Sequence, residues 1–292
     1  MIIAVASGKG GVGKSMLASS LAFLFSKEKK ITAIDCDVDA PDLGLWMGIK
    51  DWDSSEKISV SEKAFIDREK CTLCGKCRDV CRFGALKYGE RPEIIPYLCE
   101  GCGLCMHVCP EKAIRVEPVQ NGEVMIRETR YGFPLVSGQL YPGETGSGKV
   151  VDDIRERAKK FGHELTILDS AAGIGCPVIA SLKGTDHAVL ITEPTPSGFS
   201  DLKRVLEVVN HFGVDYSVVI NKWDINKEMS RKIEKFAGEK LIGKISFDKS
   251  IFKAVSDLTP IMETDLKAAG EIGEIYGNLK KLLKKKFPDV FI

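Results

Sequence analysis

The 292-residue sequence has no apolar run approaching the roughly 18–20 residues that cross a bilayer. Its opening, MIIAVASGKG, lacks the charged start and long apolar core of a secretion signal. Net charge is only +1, from 42 basic and 41 acidic residues, so no global field draws the chain to nucleic acid or to an anionic surface. Nucleic acid is therefore not an expected partner. Histidine is scarce: His107, His163, His187 and His211 fall into no recognisable site. These absences lead us to expect a soluble, cytoplasmic protein. In a reducing cytosol, the ten cysteines read as metal ligands rather than disulfides. With 44% hydrophobic residues the chain can bury a sizeable core, as one large domain or two.

What is present falls into two kinds of text. Short apolar runs at 2–7, 31–35, 165–170, 187–193, 216–221 and 240–246 alternate with helical segments such as 198–212 and 226–238. This alternation predicts an α/β fold with a mostly parallel, doubly wound sheet covered on both faces. Residues 61–118 break the rhythm. They hold an internal repeat at an offset of 28, in which Cys71, Cys74, Cys77 and Cys81 map onto Cys99, Cys102, Cys105 and Cys109. The α/β text resumes afterwards. The expected organisation is one domain from 1–60 and 119–292, with a small two-fold module inserted at 61–118. Residues 132–149, rich in glycine and serine, read as a mobile loop.

GKGGVGKS at 8–15 follows a predicted strand and opens a predicted helix, the context that gives a phosphate-binding loop its meaning. Gly8, Gly10, Gly11 and Gly13 let the backbone around Val12 turn its N–H groups toward phosphate oxygens. The helix N-terminus adds partial positive charge. Lys14 is placed for the β/γ-phosphates and Ser15 for Mg²⁺. A second lysine, Lys9, occupies the second position of the motif. With it the sequence resembles the deviant Walker A branch of P-loop ATPases: the MinD/ParA proteins, the nitrogenase iron protein and the Mrp-type carriers. The resemblance implies an ATP-dependent homodimer in which Lys9 reaches the partner's phosphates. It also implies that Asp37, in AIDCDVDAPDLG, orients the attacking water, that Asp35 lies near the Mg²⁺ shell, and that Asp169 is the second-switch aspartate. Asn221, in INKWD, matches the residue that reads adenine in this branch, although NKWD also fits the guanine-reading N-K-x-D of GTPases. The two-lysine loop favours ATP.

C-x₂-C-x₂-C-x₃-C occurs twice, at 71–81 and 99–109, the spacing of bacterial two-cluster ferredoxins. In that pattern the fourth cysteine of each run ligates the other cluster. Cys71, Cys74, Cys77 and Cys109 would hold one [4Fe–4S] cluster, and Cys99, Cys102, Cys105 and Cys81 the second. A zinc ribbon, with four ligands in two pairs, needs neither the quartets nor their repetition. Pro110 completes the usual Cys-Pro after the second run, whereas Arg82 stands in its place after the first. Taken whole, the chain resembles MinD-like ATPases with an inserted two-cluster ferredoxin domain.

Two cysteines lie outside the repeat. Cys36 reads as a small buried filler. Cys176 lies seven residues past Asp169. The nitrogenase iron protein carries a cluster ligand at that distance from its switch aspartate, so the resemblance offers Cys176 a metal or cluster role at a dimer interface. The C-terminal segment, with Ile272, Ile275, Tyr276, Leu279, Leu282, Leu283 and Phe287 at helical spacing among lysines, reads as a last helix docked on the sheet rather than a lipid-binding one. Three functions share this machinery. The first couples ATP to electron transfer toward a redox partner. The second assembles or carries a metal centre for an apo-metalloprotein partner. The third positions cellular structures as MinD does, with the clusters as redox sensors.

Overall fold

The computed structural model describes residues 1–89, 91–288 and 290. In chain order the first elements are β1 (Ile2–Ser7), α1 (Lys14–Ser26), β2 (Ile31–Cys36), α2 (Leu43–Trp46) and β3 (Ser54–Ile58). Next come β4 (Ser61–Ile66), α3 (Lys76–Val80), β5 (Leu86–Tyr88), β6 (Pro92–Ile94), α4 (Leu104–Val108) and β7 (Ile114–Val119). The chain continues through β8 (Gly122–Glu128), β9 (Pro134–Leu140), α5 (Ser147–Ala158), β10 (Leu165–Ala172) and α6 (Cys176–Leu182). It ends with β11 (His187–Thr192), α7 (Pro196–His211), β12 (Asp215–Asn221), α8 (Lys227–Ala237), β13 (Leu241–Ile245), α9 (Ser250–Ser256) and α10 (Lys267–Lys286).

Nine strands form one sheet in the order β13-β12-β11-β1-β10-β2-β9-β8-β3. The seven from β13 to β9 are parallel, and β8 and β3 extend one edge antiparallel. The parallel strands read as unbroken apolar runs because both faces are covered. Their alternation divides one strand between two cores. Ile3 and Val5 of β1 join the core under α1 and α10, while Ala4 and Ala6 join the opposite core under α5, α6, α7 and α8. Helix starts follow local chemistry. Thr195 caps α7 by accepting from Gly198 N at 2.9 Å, with Pro196 as the first helical residue, and Asn226 caps α8 by accepting from Met229 N at 3.0 Å. Ile272, Ile275, Leu279 and Leu283 of α10 are buried in the first core, so the apolar stripe of this lysine-rich helix faces the sheet. No helix among the described residues is long and apolar enough to cross a membrane.

The expected loop at 132–149 is corrected. Pro134–Leu140 is strand β9, buried over its first five residues and paired between β2 and β8, and helix α5 starts at Ser147. The small residues serve packing. A Cβ on Gly138 would come within 3.0–3.1 Å of Val150, Ile154 and Val38, so glycine is what lets α5 lie close on the strand.

Residues 61–119 form their own unit. Strand β4 pairs antiparallel with β7, β5 with β6, and a small core joins Ala64, Ala85, Leu86 and Ile114 to the cysteines. The sequence repeat is visible in three dimensions. Helices α3 and α4 begin at equivalent positions after Gly75 and Gly103, both left-handed, and end at Cys81 and Cys109. Asn121, fully buried, ties this unit to the sheet. Its Oδ1 accepts from Val60 N at 3.0 Å, and its Nδ2 donates to Thr145 O at 3.0 Å. Its backbone bonds Ile58 O and Tyr141 N. Asn121→Leu strands one buried donor and one acceptor, and is expected to cost about 3 kcal/mol. A denaturant midpoint shift, with earlier proteolysis near residues 60 and 121, would report it; an unchanged midpoint removes the clamp role.

Candidate functional site

The C-terminal ends of β1, β10 and β2 lie side by side, with Val5 opposite Asp169 and Asp169 opposite Asp35. In an open parallel sheet, this is where ligands bind. The loop after β1 turns through Gly11 and Gly13 at φ values of 74° and 92°, a conformation L side chains rarely adopt, and delivers Lys14 as the first residue of α1. From the end of β12, Asn221 Nδ2 donates to Val12 O at 2.8 Å, while its Oδ1 accepts from Lys222 N at 2.9 Å. Asn221 lines the cleft as expected, yet its amide is spent on closing the loop.

Lys14 and Asp169 form the centre. Lys14 Nζ is 2.9 Å from Asp169 Oδ1 and 3.6 Å from Asp37 Oδ2, with the lysine side chain 7% exposed and Asp169 fully buried. Burial works against the Lys14 charge, but the Asp169 carboxylate outweighs it and holds the ammonium above its ordinary pKa. Burial pushes the Asp169 carboxyl up, opposed chiefly by Lys14. Asp169 Oδ2 and Asp42 Oδ1 are buried without a hydrogen-bond partner. Asp37 borders the cleft, and burial raises its pKa as well.

Asp35 lies opposite Asp169 at the ends of β2 and β10. It is 1% exposed, and its oxygens accept from Asp37 N at 3.1 Å and Leu43 N at 2.9 Å. It shapes the turn that carries Asp37. Lys9 turns back onto its own chain, with Nζ 2.8 Å from Glu193 Oε1 and 3.3 Å from Ser197 Oγ. Glu193 also holds Lys222 Nζ at 3.3 Å, and Lys222 donates to Gly11 O at 3.2 Å. Glu193 and Lys222 were missed from sequence. Lys222 is the K of NKWD, but nothing local marks Glu193 as the residue that would meet the loop.

Lys14, Ser15, Asp37, Asp42, Asn221 and Lys222 border an open cleft, with Trp46, Phe247 and Phe252 on its apolar side. A glycine-rich loop, a helix N-terminus and a buried lysine together suit phosphate. Among the described residues, no three His, Cys, Asp or Glu side chains are placed to hold a metal ion by themselves. Mg²⁺ usually takes one or two carboxylates and completes its shell with phosphate oxygens and water. The unpartnered oxygens of Asp169 and Asp42, with the Ser15 hydroxyl and Asp37, fit such an ion. Asp224 Oδ1 accepts from Phe247 N at 2.8 Å.

In the inserted unit two small pockets divide the cysteines. Cys71, Cys74 and Cys77 line one together with Cys109; Cys99, Cys102 and Cys105 line the other together with Cys81. Ala113 N donates to Cys109 Sγ at 3.3 Å and Ala64 N to Cys99 Sγ at 3.4 Å. Burial first, then neighbouring Cys99 and Cys102, push the Cys105 thiol up. Four thiols to each pocket make a donor set of the chemistry that a polynuclear iron–sulfur core uses, although among the described residues no three are placed to hold a single metal ion. Cys36 is buried, its thiol pushed up to about 12 chiefly by that burial, as suits a filler. Cys176 is exposed at the start of α6, between exposed Ile174 and Ile179.

Lys14→Met is expected to abolish nucleotide binding and to destabilise the fold by about 3 kcal/mol, because Asp169 is left buried and unpaired. Lys14→Met/Asp169→Leu should recover most of the stability but none of the binding. Calorimetric titration and chemical denaturation separate the two effects; retained binding in either variant refutes the assignment of Lys14.

Comparison with known proteins agrees with this geometry. The CobQ/CobB/MinD/ParA nucleotide binding domain matches residues 3–261. An uncharacterized protein of Methanocaldococcus jannaschii is 42% identical over 97% of this chain and 98% of its own. The septum site-determining protein MinD of Buchnera aphidicola is 23% identical over 100% of this chain and 94% of its own. The structure of MinD from Pyrococcus horikoshii, complexed with Mg-ADP, matches with a TM-score of 0.62 at 16% identity, covering 98% of each chain, a likeness of fold. A phosphate loop at the meeting of three parallel strand ends, and a family match that spans most of the sequence, lead to one conclusion: the chain belongs to the CobQ/CobB/MinD/ParA family of nucleotide-binding domains.

Proposed function

We infer that the protein is a MinD/ParA-type ATPase that carries two [4Fe–4S] clusters in its insert, and that its nucleotide state governs electron transfer through them to a redox partner. The observation that carries this reading is the crossed division of eight cysteines between two cavities, each completed by the fourth cysteine of the other run. Clusters held this way would supply one-electron transfer. The protein's own contribution is to enclose them and to donate backbone N–H groups to sulfur, which tunes potential.

For hydrolysis, Lys14 and the loop amides would bind the phosphates, and Asp37 would hold the attacking water. Charge stabilisation and positioning then do most of the chemistry. Lys9 has a partly exposed ammonium, so exchange of Glu193 for a second copy's phosphates would make the ATP-bound form a homodimer. ATP is favoured over GTP because Asp224, the residue a GTPase would use to read guanine, is engaged by Phe247 N. A second reading, a positioning ATPase with redox-sensing clusters, draws support from the MinD proteins among the relatives.

Anaerobically purified protein is expected to contain about eight irons and eight sulfides per chain. Cys109→Ser should disable the cluster held by Cys71, Cys74 and Cys77, and Cys81→Ser the other. Iron analysis with EPR checks both; stoichiometric zinc with little iron would refute the reading. Competition for a fluorescent nucleotide should rank ATP at least about tenfold above GTP, a difference of roughly 1.4 kcal/mol. Cys176→Ser should spare ATP hydrolysis and both clusters but impair partner-dependent electron delivery; full delivery removes Cys176 from the transfer.

A further inference from the structure

The insert and the nucleotide cleft are joined by more than chain connectivity. Lys63 of β4 is almost completely buried at the seam, and its Nζ lies 2.8 Å from Glu144 Oε2 and 2.5 Å from Pro96 O. On the insert side, Pro96 begins the short turn that leads into Cys99, and the neighbouring Ala64 N donates to Cys99 Sγ. On the other side, Glu144 belongs to the loop 141–146, which Asn121 holds at both Tyr141 and Thr145. That loop enters α5 through Gly146. The backbone of Gly148, in the first turn of α5, packs on Cys176: a Cβ there would sit 3.2 Å from both Cys176 Cβ and Cys176 O. Arg155 of α5 bonds Ala180 O of α6. Cys176 opens α6 seven residues after Asp169, whose carboxylate is gripped by Lys14.

We propose that the Lys63–Glu144 ion pair is a positioning element through which occupancy of the phosphate loop is felt at the cysteine insert. The trigger is electrostatic. Phosphate oxygens at the loop compete for the Lys14 ammonium, Asp169 loses part of its partner, and the segment between Asp169 and Cys176 resettles. Helix α6 bears on α5, α5 continues into loop 141–146, and Glu144 carries the displacement to Lys63 and to the Pro96–Cys99 turn. A buried Lys–Glu pair is rarely more stable than well-packed apolar residues, so its use at this seam suits fixing a register rather than adding stability. Coupling of this kind is reciprocal: whatever orders the insert changes nucleotide affinity by the same factor. The inference rests on nucleotide binding at the loop and not on the clusters.

The test is hydrogen–deuterium exchange on the full-length, anaerobically purified protein, with and without Mg-ATP. In the unaltered protein, ATP should change exchange at amides 169–176 and also at 97–101, the latter by roughly fivefold or more. In Lys63→Met/Glu144→Leu, which replaces the pair by apolar groups, and in the milder Glu144→Gln, the response at 169–176 should persist. The response at 97–101 should fall away while Mg-ATP still binds and still drives the response at 169–176. The proposal is overturned if 97–101 responds undiminished in both variants. It is equally overturned if 97–101 is silent in the unaltered protein while 169–176 responds. Low iron content would sink the cluster assignment and leave this measurement intact.

Discussion

The buried pair of Lys14 and Asp169 is the constraint on which the rest of the structure turns. An ammonium and a carboxylate, both out of water, sit 2.9 Å apart where the phosphate loop meets the end of β10. Neither tolerates the loss of the other, since an unpaired buried charge is costly. The pair therefore fixes how β1, the loop and α1 lie against β10, and keeps the cleft formed before any ligand arrives. It also makes the site responsive. A lysine held by a carboxylate can be drawn toward phosphate, and the carboxylate then needs another cation. Asp35 and Asn221 serve the same arrangement from either side, one shaping the turn to Asp37 and the other closing the loop at Val12.

The sheet explains how a second unit can be inserted without disturbing that centre. The insert leaves after β3, the outermost antiparallel strand, and returns into β8 beside it. The seven parallel strands that build the cleft are untouched. What joins the two parts is polar: buried Asn121 at the neck, and buried Lys63 with half-buried Glu144 at the seam. Polar joints of this kind are specific in geometry, because each buried donor and acceptor must find its partner. An apolar seam would allow the insert to settle in several ways.

Much of the architecture was legible in sequence because it rests on local patterns. The strand–loop–helix context of GKGGVGKS, the apolar runs of the parallel strands and the cysteine repeat each repeat a simple rule at fixed spacing. Strand β9 was hidden because its small residues, Ser137 and Gly138, imitate a loop, although Gly138 serves close packing under α5. The backbone bonds of Asp35 were not legible either, because an acidic strand end looks the same in sequence whether or not it holds N–H groups of the following turn. Glu193 could not be found, since its partners Lys9 and Lys222 come from distant elements.

Sequence by itself determined the parallel α/β class, the phosphate loop, the position of the insert and the two cysteine runs, because spacing along one chain encodes periodicity and local turns. Only the tertiary structure decided which carboxylate meets Lys14, where Lys9 rests, and that Lys63 meets Glu144 at the seam. Those outcomes depend on packing between residues far apart in the chain, where burial removes water and leaves each charge to find its own partner.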